Sequence, residues 1–306
     1  MTQQWLEIDR CPGCDGQEIT PRGKLPRQHY NFLGEHIPLP VGGIGLAECK
    51  TCGLYFKTVL PSPGYLTAVF AGKAGTVWND SYAFQPEKDL VRRLITATAF
   101  DLLDIGPSNG ALLRAFADLP GRRSGLDLFM HPGLADCLRG EFITGLLDQA
   151  DLTWNGEPYD VVTVFDVFEH FYSPLQAFRN LGKFLKAGGL VMLETGNVGS
   201  VWARKVGPER WRYTNLFEHH VFWRPESIRY HAARHGFEVV EVNEVDHKGW
   251  GGKSAAYKLK QLLKYAMWRL VPGLYREIAG RLKEDGSIAP QIPFTYDHFS
   301  VVLRKL

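Results

Sequence analysis

The stretch Phe100-Asp-Leu-Leu-Asp104-Ile-Gly106-Pro107-Ser-Asn109-Gly110 decides how the rest of the chain is read. Its first half is short, mostly apolar and bounded by glycine and proline, the composition of a buried strand. Its second half supplies a tight turn, and Ala111-Leu-Leu-Arg-Ala follows as the start of a helix. Gly106 permits the turn, and Gly110 lets backbone approach a ligand closely. About twenty residues on, the run Ser124-Gly-Leu-Asp127-Leu128 closes a second strand on an acid, where a carboxylate accepts hydrogen bonds from two ribose hydroxyls.

Working outward, short apolar runs alternate with amphipathic segments, the signature of βαβ units. Strands are predicted at 100–105, 124–128, 141–144, 160–165, 190–194, 238–242 and 299–304, with helices over 110–118, 173–186 and 225–235. Cys137 falls in a further predicted helix as a buried residue. Residues 1 to about 60 differ: they are rich in Gly and Pro, hold four of the five cysteines and show little helical periodicity.

Composition bounds the function. An apolar fraction of 45% supports a sizeable core, and a net charge of +2 is too mild for whole-molecule nucleic-acid binding. No run approaches the roughly 18 apolar residues of a membrane span, and Met1-Thr-Gln-Gln-Trp5 does not open a secretory signal. A cytoplasmic protein with reduced thiols is expected. Cys11-Pro-Gly-Cys14 and Cys49-Lys-Thr-Cys52 are then two CxxC knuckles whose four thiolates suit tetrahedral Zn(II), with no open position for water.

The first loop is Gly106-x-Ser108-x-Gly110 rather than G-x-G-x-x-G, and Asp104 stands just before it. A carboxylate there repels a pyrophosphate but organises the cationic amino end of S-adenosylmethionine. This disfavours a nicotinamide-dependent oxidoreductase. With Tyr159-Asp-Val-Val-Thr-Val-Phe165-Asp166-Val-Phe-Glu169-His170 and Leu185-Lys-Ala-Gly-Gly-Leu added, residues 80–245 resemble the class I methyltransferases. The similarity is greatest to relatives of ubiquinone and sugar O-methyltransferases, and the cysteine pairs resemble those of a subgroup with an N-terminal zinc ribbon.

The resemblance implies an α/β fold: a Rossmann-like seven-stranded sheet with helices on both faces, plus a small zinc-binding module. It implies a module over 1–60 and a methyltransferase domain over 61–306, with an acceptor lid inserted near 197–224 and a basic helical insert near 250–293. It also implies S-adenosylmethionine as cofactor. Phe165, Asp166 and His170 would line its methionine end, Asp127 and Leu128 the ribose, Leu146 and Leu147 the adenine, and Tyr82 would cap it. Pro107 and Asn109 belong to the glycine turn of the same site. The acid customary after the glycine of Gly145-Leu146 is missing.

Two histidines are candidate bases for deprotonating an acceptor hydroxyl: His219, in Glu218-His219-His220, first, and His170 second. Asp166, Glu169 and His170 fall at i, i+3, i+4, which reads either as a metal-binding helix face or, at Asp166-x-x-Glu169, as a capping box. The expected acceptor is a small molecule or a saccharide, free or lipid-linked; transfer to carbon or nitrogen and a non-catalytic scaffold are the alternatives. Basic residues and leucines alternate between Lys253 and Lys283. They fit either a membrane-surface helix pair or a solvated basic face above a core-facing apolar stripe.

Overall fold

A computed structural model describes residues 4–71, 73, 82–246, 254–281, 286–290 and 296–306. Trp250, Lys253, Lys283 and Pro293, which bound the predicted insert, lie outside the described residues. The chain divides into two compact units. One comprises Met1–Val69, Gly196–Ile228 and Asn243–Phe299; the other comprises Phe70–Thr195, Arg229–Val242 and Ser300–Leu306.

The apolar runs form seven strands that belong to the second unit except for end residues of the last three: β1 Leu102–Ile105, β2 Arg123–Asp127, β3 Phe142–Thr144, β4 Tyr159–Phe165, β5 Leu185–Gly196, β6 Phe237–Val245 and β7 His298–Lys305. Their order across the sheet is β3-β2-β1-β4-β5-β7-β6. Each predicted strand is present. β5 starts five residues earlier than predicted, because Leu185 pairs with Tyr159 before a register shift brings Val161 opposite Leu190. Parallel pairing joins β1 to β2 and to β4, so the strand order reverses beside β1. Ligands of open α/β sheets bind at such a switch point, beyond the carboxyl ends of the strands.

α1 Gln85–Leu94 is not among the predicted helices; the three after it, α2 Ala111–Ala115, α3 Pro174–Phe184 and α4 Pro225–Arg234, fall where the sequence places them. α2 stops three residues short of its predicted end, and the buried Arg123 side chain donates to the carbonyls of Phe116 (3.2 Å) and Leu119 (2.9 Å) beyond it. α3 starts where Ser173 Oγ accepts from the Gln176 amide at 3.3 Å, with Pro174 as first helical residue. It buries Ala177, Phe178, Leu181 and Phe184 along one side. Cys137 is buried as expected, but in turns after a 3-10 segment at Pro132–Leu134 rather than in a helix. The core joins Leu102, Val161 and Met192 of the sheet to Leu112, Leu113 and Phe116. Each such side chain contributes roughly 1.5–3 kcal/mol when fully buried.

The first unit is mainly antiparallel. Ile19–Lys24, Gly45–Cys49 and Tyr55–Lys57 make a sheet to which Val221–Phe222, from the predicted lid, adds a fourth strand opposite Tyr55 and Phe56. A hairpin pairs His29–Phe32 with Glu35–Pro38 through Leu33 and Gly34, both at positive φ, as a two-residue turn of that hand requires. Two helices, α5 Ala255–Leu270 and α6 Pro272–Arg281, pack Trp268 and Tyr275 onto a core of Trp202, Trp211, Tyr213 and Phe222.

Candidate cofactor site and cysteine cluster

The sequence-selected residues of the second unit converge at the carboxyl edge of β1, β2 and β4. Asp104 is buried on β1 and accepts a 2.7 Å hydrogen bond from Thr163 Oγ1 on β4. Gly106 follows with φ +68° and donates its amide to Leu126 O at 2.9 Å. A Cβ on Gly106 would stand 2.4 Å from Val167 Cγ2, so only glycine fits both the backbone and the space. Pro107 is buried beneath this turn. Asn109 closes the turn, its Oδ1 accepting from the Ala111 amide at 3.2 Å.

Gly110 sits at φ +81° before α2, and a Cβ there would strike the Cys137 sulfur at 2.4 Å. The backbone conformation and the packing on Cys137 each call for glycine at this position.

Asp127 ends β2, and its Oδ1 accepts from the Leu128 amide at 2.6 Å. Burial pushes its carboxyl above the usual range, against the pull of the Leu128 and Phe129 amides and of the nearby His170 imidazole. After β3, Leu146 is exposed and Leu147 is buried in the core. The acid of this loop, Asp148, accepts from the amides of Tyr172 (2.8 Å) and Ser173 (3.1 Å), tying the loop to the start of α3.

At the end of β4, Phe165 stacks on Phe84 at 6.2 Å, and Tyr82 meets Phe84 edge-on at 5.0 Å. Tyr82 thus reaches the site through Phe84, a residue with no distinguishing signal in the sequence. Thr163 did carry one: it is the polar residue in the apolar run Val161-Val-Thr-Val-Phe165.

The segment after β4 departs from both expectations for it. Asp166 takes a left-handed conformation (φ 52°), and no helix forms over 166–172, so no helical face aligns Asp166, Glu169 and His170. Nor does Glu169 cap α3, a role taken by Ser173. Glu169 is instead fully buried, accepting from Thr195 Oγ1 at 2.8 Å. His170 Nε2 lies 3.2 Å from the Asp166 carbonyl oxygen, to which it donates.

In the first unit His219 is buried and packs edge-on against Tyr213 at 4.2 Å. Tyr213 also meets His298 at 5.0 Å, and Asp297 bonds both His298 Nδ1 (3.0 Å) and Trp211 Nε1 (3.2 Å). Neither Asp297 nor His298 was singled out in the sequence. Nearby in the same unit, Lys57 is buried and donates to Leu216 O at 2.5 Å. Burial lowers its ammonium pKa to about 7, with Glu218 opposing that fall.

The four cysteines come together as the sequence predicts. Their Sγ atoms all lie within 4.8 Å of one another, with Cys11 to Cys52 at 3.5 Å and Cys14 to Cys49 at 3.6 Å. A tetrahedral ion with Zn–S bonds of about 2.3 Å sets sulfurs about 3.8 Å apart, so the cluster has the dimensions of a four-sulfur zinc centre. No disulfide joins them. Each knuckle is a backbone turn, Asp15 N to Cys11 O and Gly53 N to Cys49 O, both 2.8 Å, with Asp15 and Gly53 at positive φ. A hydrogen bond from the Cys52 thiol lowers the pKa of the Cys11 thiol, while burial raises that of Cys14.

The family described as a methyltransferase domain matches residues 77–242. Among curated relatives, an Aliivibrio fischeri ubiquinone biosynthesis O-methyltransferase is 29% identical over 144 residues, covering 42% of this chain and 59% of that protein. A Nitrosococcus oceani protein of the same name is 23% identical over 199 residues, covering 57% of this chain and 82% of its own length. The chain thus spans about three-fifths of the length of the first of these relatives. A Burkholderia thailandensis 1,6-didemethyltoxoflavin-N1-methyltransferase, solved with S-adenosylhomocysteine, shares the fold at TM-score 0.50 and 13% identity, over 86% of this chain and 95% of that one. Because the family match takes in more than half of the sequence, including the strands that carry Asp104, Asp127 and Phe165, the chain belongs to the methyltransferase-domain family, on the class I fold of S-adenosylmethionine-dependent enzymes.

Proposed function

We propose that the chain transfers a methyl group from S-adenosylmethionine to a hydroxyl of a small acceptor, and that its cysteine cluster holds a structural zinc ion. The observation that carries the first part is the carboxylate pair at the switch point: Asp104, held by Thr163, and Asp127, at the end of the neighbouring strand. Asp104 would face the amino group of the cofactor and Asp127 its ribose hydroxyls. Leu128 would lie beside the ribose and Leu146 beside the adenine, with Phe165, Asp166 and His170 at the methionine end and Tyr82 as the cap. Bound there, S-adenosylmethionine supplies an electrophilic methyl on a good leaving group.

What is left to the protein is alignment of the acceptor and removal of one proton. His219 is our first choice for the base and His170 the second. The hydroxyl reading draws on the relatives, whose names specify O-methyl transfer. An acceptor ring, whether phenolic or saccharide, is consistent with the Trp211, Tyr213 and His219 cluster. For the zinc, the support is the sulfur spacing and the absence of disulfides.

Calorimetric titration with S-adenosylhomocysteine, and with NAD as control, tests the cofactor. Micromolar binding of the first alone is expected, and binding of NAD alone overturns the reading. Labelled methyl transfer to a panel of phenols, saccharides and amines then sorts the acceptor. Under the proposed role His219→Ala cuts turnover by about 100-fold or more with little change in cofactor affinity. Unchanged turnover passes the role to His170.

A further inference from the structure

The outward side of α5 is the reverse of an ordinary surface helix. Leu259, Leu263 and Leu270 are exposed at 58, 57 and 77%, and Ala266 between them is exposed as well. At 3.6 residues per turn the other three fall within about 40° of Leu259, a single apolar stripe. Trp268 lies about 180° from Leu259 on the same count, and it is Trp268, with Tyr265 and Met267, that packs on the core of the first unit. The helix is therefore anchored by its aromatic side, and its leucines cover nothing among the described residues. Val271 and Leu274, 46 and 51% exposed, extend the apolar surface into α6.

The charge around the stripe is one-sided. From Ala255 to Arg281 the two helices carry six basic residues and one acid, Glu277. Lys260 lies about 100° to one side of Leu259, with Lys258 and Arg269 about 100° and 80° to the other. Apolar side chains between two rows of cations match a bilayer interface, where leucines enter the acyl boundary and lysine and arginine stems extend to the phosphates. We propose that the α5–α6 face docks on an anionic lipid surface, lying in its plane.

Charge favours this occupant over a second copy of the chain, since two such faces would bring like charges together. Spanning is excluded for α5, whose 16 residues reach only about 24 Å, and no helix among the described residues is long and apolar enough to cross a membrane. The proposal stands apart from the identity of the acceptor.

Flotation of the full chain tests it, with vesicles of phosphatidylcholine alone or with about one-third phosphatidylglycerol. The bound fraction should be about tenfold higher on the anionic vesicles and should fall as salt is raised. Leu259→Glu with Leu270→Glu should reduce binding about tenfold while leaving the circular dichroism and Tm unchanged, because both side chains are exposed. Lys260→Glu with Arg269→Glu should remove the preference for anionic lipid. Equal or absent binding of the wild type to the two vesicles overturns the proposal, as does full binding by the leucine variant. So does a wild-type dimer that the leucine variant dissociates while neither protein binds vesicles, since the occupant is then a second copy.

Discussion

Thr163 Oγ1 donates to Asp104 Oδ1 across 2.7 Å, from one strand of the central parallel pair to the other, with both side chains buried. A carboxylate so fixed can meet a cationic ligand without reorganising. Hydrogen bonds to charged groups contribute about 1.5–3 kcal/mol, or roughly tenfold and more in affinity. Asp104→Asn keeps the shape and loses the charge, so calorimetry should show S-adenosylhomocysteine affinity down at least tenfold, with a smaller loss for Thr163→Val. An unchanged Kd for Asp104→Asn would remove this residue from the cofactor site.

The cysteine cluster makes a separate prediction. Purified protein should carry about one zinc per chain, with four sulfurs at about 2.3 Å by X-ray absorption. Cys49→Ser should lose the metal. Since zinc centres of this type supply folding free energy outright, a strong chelator should open the chain to proteolysis between Cys14 and Cys49. Retention of full zinc by Cys49→Ser would show that the ion sits elsewhere.

Lys57 predicts how stability changes with pH. Burial lowers its pKa from 10.5 to about 7 in the folded chain. Between those values the unfolded chain holds a proton that the folded one has released, so stability rises with pH there, by at most about 1.4 kcal/mol per unit. Below 7 both states are protonated and the slope vanishes. Urea unfolding of the wild type and Lys57→Met from pH 7 to 9.5 should give a steeper rise for the wild type. Parallel curves would mean that Lys57 stays charged in the fold.

Most of the seven-stranded sheet was legible because its strands are continuous apolar runs ended by glycine or acid, a local property. The position of three candidate residues was legible to the same depth: Asp104, Gly106 and Asp127 stand at strand ends where spacing alone places them. Asp166-x-x-Glu169 misled because a capping pattern lay seven residues ahead of a stronger start, Ser173-Pro174, where the hydroxyl and the fixed φ act together. The first unit was least legible. Ile19-Thr-Pro-Arg-Gly-Lys24 has little apolar content, and Gly45–Cys49 finds its partners only through the fold. The basic insert divided into its two faces only when the aromatic side chains were seen to take the inner one.

The pairing of Val221 with Phe56 sets a timetable for synthesis. The strands around the cysteines leave the ribosome ahead of their partner, and their sheet keeps an open edge until that strand, some 165 positions later, arrives. At about 5–20 residues per second that wait lasts roughly 8–33 s. During it the nascent segment carries its four cysteines beside unpaired backbone. Capture of an ion in that interval would hold the early strands in register, so metal supply would govern the yield of folded chain before it governs anything the finished protein does.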